Sequence, residues 1–116
     1  MERECEENLK QIIEGFQECR NAFNSLGDET RQLILLKLLE SDLSGIRVGE
    51  IAKKTHLTRP SVSHHLQILK EAGIVAMRRE GTKNFYYLSV DETVWNDIAD
   101  LVNGIYESIQ HISSQS

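Results

Sequence analysis

The feature that most limits what this chain can fold into is a change of hydrophobic period at Ala72-Gly73. Before it, apolar residues recur at three and four. After it, Ile74 to Arg79 and Asn84 to Ser89 are short runs rich in β-branched and aromatic residues, separated by Glu80-Gly81-Thr82-Lys83. A helix that stops at a glycine and gives way to a hairpin is the direct reading. The stretch leading into that stop, LTRPSVSHHLQILKEAGIV from Leu57 to Val75, is itself well punctuated. Thr58 can cap it, and Pro60 sits in the first turn, where its missing N–H costs little. Val62, Leu66 and Leu69 supply a buried stripe.

The rest of the chain reads mainly as helix. Leu9, Ile12, Ile13, Phe16, Cys19, Ala22 and Phe23 mark a first amphipathic helix over residues 5–26. Asp28 caps a second, whose Leu33, Ile34, Leu36, Leu38 and Leu39 are dense enough to place it at the centre of the core. Ser44-Gly45 breaks the chain, and Val48 to Thr55 is a short third helix followed by a turn at His56-Leu57. The punctuated stretch is the fourth helix, with the hairpin over residues 74–89. Asp91 then caps a fifth helix over 91–113, with Val94, Trp95, Ile98, Leu101, Val102, Ile105, Ile109 and Ile112 on one stripe.

This order predicts one mainly α domain spanning residues 1–116, with five helices and a two-stranded wing. It is a winged helix-turn-helix, with the helix-turn-helix over 48–72. At 116 residues with 40% hydrophobic content, there is room for one core. The longest apolar run, Leu33 to Leu36, is far short of the roughly 18 residues of a membrane span. The start MERECEENLK does not resemble a signal peptide, so a soluble cytoplasmic protein with reduced thiols is expected.

Net charge is -5, which by itself argues against a nucleic-acid partner. The distribution reverses that argument. Residues 1–30 hold three Lys/Arg against eight Asp/Glu, and residues 84–116 hold five acids and no Lys/Arg. Residues 53–83 hold seven bases against two acids, a local +5. On helical geometry the buried stripe of the fourth helix faces away from His64, Gln67 and Glu71, with Ser63 at the flank, and Arg59, Ser61, Ser63, His64 and Gln67 are the groove-facing candidates. These residue types can reach base edges and phosphates in a major groove. Arg78, Arg79 and Lys83 flank the hairpin tip, where Gly81 allows close approach to a phosphate or minor groove. The expected partner is double-stranded DNA. Taken singly, each of these side chains is as well explained by solvation or by protection of a sheet edge.

The segments LGDETRQLILLKLL, LTRPSVSHHLQILKEAGIV and RREGTKNFYYL together resemble the core helix, recognition helix and wing of the ArsR/SmtB family of small dimeric bacterial repressors. The resemblance covers about Leu26 to Leu88. It implies a homodimer formed by the terminal helices, a pseudo-palindromic operator and an inducer of unspecified chemistry. It also implies where metal ligands would stand. The Cys-x-Cys of the arsenic and cadmium type falls on Arg47 and Gly49, so both thiolates are gone. Aligning the zinc type through His111 puts Asp100, Ile98 and Ser114 on the other ligand positions, leaving two ligands of four. No metal or cofactor is therefore expected.

Cys5 and Cys19 are the alternative sensor groups, for redox or metalloid signals. Fourteen residues apart on one helix, about 21 Å along its axis, they cannot pair within a straight helix. The remaining alternative is a winged-helix module for protein contacts. An enzyme is not expected, because no His-Glu-x-x-His, phosphate-cradling glycine loop or nucleophile elbow is present.

Overall fold

A computed structural model describes the backbone of residues 2–115 and the side chains of residues 6–114. The elements run α1 (Glu2–Glu18), α2 (Arg20–Leu26), α3 (Glu29–Glu40), α4 (Val48–Thr55), α5 (Arg59–Glu71), β1 (Val75–Glu80), β2 (Lys83–Leu88) and α6 (Glu92–Gln115). They fall into two compact units, one of residues 1–20 with 92–116 and one of residues 21–91.

The mainly helical class with a two-stranded wing is as expected, but the described residues form six helices rather than five. The expected first helix is interrupted at Cys19. Cys19 still donates its N–H to the Gly15 carbonyl at 2.9 Å, and a new helical segment starts at Arg20. Neither proline nor glycine stands at the break. It falls at Cys19, whose side chain is buried, one residue before the chain passes from one unit to the other.

In the unit of residues 21–91, helices α3, α4 and α5 pack on one another, with α5 against β1 and α3 against β2. Asp28 caps α3 by accepting the Arg31 N–H at 2.9 Å. The core position expected for α3 needs correction: Ile34, Leu35 and Leu38 are buried, whereas Leu33, Leu36 and Leu39 are 36, 49 and 56% exposed. A helix packed on one side buries one stripe only, however apolar the rest of its sequence.

Helix α4 buries Ile51, Ala52 and Thr55, and ends at His56 with φ 59°, a left-handed cap usually filled by glycine. Thr58 caps α5, accepting the Ser61 N–H at 3.3 Å. Val62, Leu66 and Leu69 are the buried stripe of α5, all with no exposed surface. The helix closes at Gly73, with φ 79°, while Ile74 donates its N–H to the Leu69 carbonyl at 3.0 Å. The wing pairs antiparallel from Val75 with Leu88 to Glu80 with Lys83, turning at Gly81 with φ 63°. Ile46 adds a bridge on the other side of β2, exchanging backbone hydrogen bonds with Tyr86 at 2.9 and 2.8 Å. That third rung was not anticipated.

In the other unit, α1 and α6 pack side by side. A Cβ on Gly15 would lie 3.1 Å from Leu101, so the glycine permits the close approach.

Leu66→Ala should cost about 2 to 5 kcal/mol in chemical denaturation, the range for a core leucine emptied into a cavity. The Asp28 carboxyl is held below the usual carboxylate range, first by the hydrogen bond from the Arg31 backbone and then by the charges of Arg31 and His65, against partial desolvation. A lowered acid stabilises the fold fully above its unfolded pKa, about 4, and loses that contribution as pH falls through the folded value. Thermal melts should therefore show Asp28→Ala below wild type at neutral pH, with the gap narrowing in acid.

Candidate nucleic-acid interface

Burial of Val62, Leu66 and Leu69 decides which way α5 presents its polar residues. Ser63, His64 and Gln67 are exposed along the opposite face, with Arg59 exposed and Ser61 half-buried at its N-terminal end. The five predicted residues of the helix therefore stand on a single element at its outer side. Three of them have local neighbours. Gln67 donates from Nε2 to Glu71 Oε1 at 3.1 Å, a bond along the exposed helix surface that a stronger partner could replace. Arg59 lays its guanidinium beside α4, where a Cβ on Gly49 would lie 3.0 Å from Nη2. The His64 ring meets that of His65 edge-on, with centroids 5.6 Å apart.

The three wing cations are positioned differently from one another. Arg78 lies over the Phe85 ring, 4.8 Å from its centroid, and donates from Nε to Glu80 Oε1 at 3.2 Å. Arg79 donates from Nε to the Gly81 carbonyl at 3.0 Å, which holds its charge at the hairpin turn. Lys83 is exposed opposite Glu80. Gly45, at φ 131°, lies so close to Arg78 Nη1 and Phe85 Cβ (2.8 and 3.0 Å from where a Cβ would be) that a side chain there would collide with both. Arg78 is thus packed into the wing, while Arg79 and Lys83 project from its end.

Sequence reasoning missed the inward neighbour of this surface. His65 is half-buried and meets Arg31 of α3, with 3.3 Å between its Nδ1 and the arginine Nη1. The two histidines lie one residue apart, about 100° around the helix, and so face different surroundings. That azimuth was available from the stripe, but the partner on α3 was not.

The sensor candidates have less support from their surroundings. Cys19 is buried at 2% exposure, and burial pushes its thiol up, with the Asp97 and Glu18 carboxylates adding to the rise. A raised pKa leaves little thiolate for reaction with an oxidant or metalloid. The Cys5 side chain lies outside the described residues. Asp100 and His111 are exposed on α6, eleven positions and about 16 Å apart along its axis. Among the described residues no group of three or more His, Cys, Asp or Glu side chains is gathered to hold a metal ion. Where the resemblance would put the Cys-x-Cys pair, Arg47 is exposed before α4 and Gly49 is covered by Arg59.

Comparison with known proteins agrees with this geometry. The profile of bacterial regulatory proteins of the arsR family matches residues 28–76, from the α3 cap through α5 and into β1. An uncharacterized HTH-type transcriptional regulator of Methanocaldococcus jannaschii is 44% identical over 91 residues, covering 78% of this chain and 98% of the relative. The transcriptional repressor SdpR of Bacillus subtilis is 39% identical over 77 residues, 66% of this chain and 80% of SdpR. Among solved structures, the homodimeric winged helix-turn-helix DNA-binding domain of a possible ArsR-family regulator of Mycobacterium bovis superposes with a TM-score of 0.60 at 26% identity. That superposition covers 83% of this chain and 85% of the other. With the family profile lying on its helix-turn-helix and a relative matched over nearly its whole length, this chain belongs to the arsR family of bacterial regulatory proteins.

Proposed function

We propose that the protein is a homodimeric transcriptional repressor that reads duplex DNA with α5 and grips the flanking backbone with the wing. The observation that carries this reading is the outer face of α5. Its apolar stripe is wholly buried, and Ser63, His64 and Gln67 stand exposed opposite it, in the most basic part of the chain. A helix in the major groove needs that division: one side anchored, the other furnished with donors and acceptors for base edges. Arg59 and Ser61 stand at its N-terminal end, where the helix dipole favours a phosphate oxygen. Arg79 and Lys83 supply the wing with charge for phosphates. Arg78, packed on Phe85, shapes the wing as much as it contacts a ligand.

The dimer is proposed on the apolar surface of α1 and α6. Leu9, Ile13 and Phe16 are each at least half exposed, as are Val102, Tyr106, Ile109 and Ile112. Such surface on two amphipathic helices is large for a chain working alone. The homodimeric Mycobacterium bovis structure and the repressor SdpR support the same assembly and the same sign of regulation. Two recognition helices related by a two-fold axis ask for a pseudo-palindromic operator, and a bound dimer represses by occupying promoter DNA. The regulator acts without the family's Cys-x-Cys or four-ligand metal centres, because Gly49, Arg47, Ile98 and Ser114 occupy ligand positions and cannot replace those ligands.

Two measurements check these assignments. Ser63→Ala with His64→Ala should weaken binding to a preferred duplex by about 1 to 3 kcal/mol per lost base contact and leave scrambled duplex nearly unaffected. Lys83→Ala should weaken both alike and flatten the dependence of affinity on salt. In sedimentation, Ile13→Glu with Ile109→Glu should turn a two-chain species into a folded monomer; a dimer that survives both charges places the interface elsewhere.

A further inference from the structure

We infer that Arg31 is a positioning residue for the recognition helix, and that it holds α5 in its DNA-reading rotation through its contact with His65 Nδ1. The inference rests on the proposed reading that α5 contacts DNA. Burial of Val62, Leu66 and Leu69 fixes which side of α5 turns inward, but apolar contact is non-directional and sets small rolls of the helix about its own axis less sharply. A directional contact on the flank of that stripe can set them. His65 is on that flank, adjoining the outward-facing His64, and the group it meets is unusually well anchored.

Arg31 donates from Nε to the Ser25 carbonyl at 2.7 Å and from Nη2 to the Asn24 carbonyl at 3.1 Å. Both carbonyls are in the last turn of α2, where backbone oxygens lack helical partners. Its own backbone N–H is taken by the Asp28 cap. The guanidinium is therefore pinned at two points, and Nη1 is left to meet His65 Nδ1 at 3.3 Å. An arginine can only donate, so the contact is a hydrogen bond only when Nδ1 carries no proton. Protonated His65 would set a second cation against the first. The charged neighbours on α3 are then Arg31 against it and the Asp28 carboxylate for it. On α5, the titratable neighbour is His64, ring to ring. The elements α4 and β1 also pack against α5, and their charges are engaged or exposed. Lys54 bonds Ser41, Glu50 and Lys53 are exposed, Arg78 bonds Glu80, and Arg79 bonds the Gly81 carbonyl.

The consequence of losing this contact is a loss of sequence discrimination. A small roll of α5 displaces Ser63, His64 and Gln67 from base edges while leaving the wing on the backbone, so preferred duplex suffers more than scrambled duplex. The ratio of the two affinities isolates this effect.

The test uses fluorescence anisotropy of the full chain on a duplex enriched from a random-sequence pool by the wild-type protein, and on its scramble. Arg31→Lys and His65→Ala should each lower the affinity ratio about tenfold near neutral pH. His65→Asn keeps an acceptor oxygen near the Nδ1 position and cannot titrate, and should restore the ratio to within about threefold. Thermal midpoints separate a misfolded variant from a misoriented helix. If Arg31→Lys does not fold, the comparison of His65→Ala with His65→Asn decides alone. A ratio unchanged in folded Arg31→Lys, or a ratio as low in His65→Asn as in His65→Ala, overturns the inference and leaves the DNA reading intact. A wild-type protein that enriches no duplex overturns both.

Discussion

The arrangement of the proposed DNA-facing surface depends on the burial of one side of α5. Val62, Leu66 and Leu69 are fully covered by α3, α4 and β1, and each contributes about 1.5 to 3 kcal/mol by leaving water. Because these positions recur at four and three, they define a single face, and Ser63, His64 and Gln67 are left exposed away from it while His65 stays half-buried on its flank. The helix ends are set just as locally: the Thr58 hydroxyl and Pro60 begin the helix where it leaves α4, and Gly73 ends it so that Ile74 and Val75 can enter the sheet. The proposed recognition surface is thus a by-product of the core, the polar side of a helix whose apolar side is buried.

The wing depends on the same core by a different route. Ile74 and Val75 are buried at the start of β1, and Ile46 bonds across to Tyr86 on β2, so the base of the hairpin is held on both edges. Its outer end is polar and turns at Gly81. Charge follows this plan more closely than net charge suggests. The acidic residues that make the chain negative lie mostly in its two ends, while the bases cluster from Lys53 to Lys83. A duplex responds to the local field within about one Debye length, roughly 8 to 10 Å in physiological salt, so in the proposed complex the charge of the middle of the chain counts for more than the net charge.

Much of this was legible in the sequence because the signals were local. The Thr58 cap, Pro60, the stripe of α5, the stop at Gly73 and the Gly81 turn each need only a few neighbouring residues, and the described structure has all of them. What sequence reading missed was set by tertiary packing. Cys19 interrupts the first helix with no proline or glycine to announce it. Leu33, Leu36 and Leu39 look like core residues until α3 is seen to be covered on one side only. The Ile46 rung and the Arg31–His65 contact join positions 40 and 34 residues apart, a separation that periodicity cannot bridge. Arg59 and Arg78 were recognisable as cations, but not as cations resting on Gly49 and on the Phe85 ring.

The most direct test of the central claim is a map of backbone amide chemical shifts as duplex DNA is titrated into the labelled protein. Perturbations should concentrate on Thr58 to Gln67 and on Arg79 to Lys83, with the exposed face of α3 around Leu36 nearly silent. Perturbations centred on α3 and sparing α5 would contradict a DNA-reading α5, and would assign the basic middle of the chain another role.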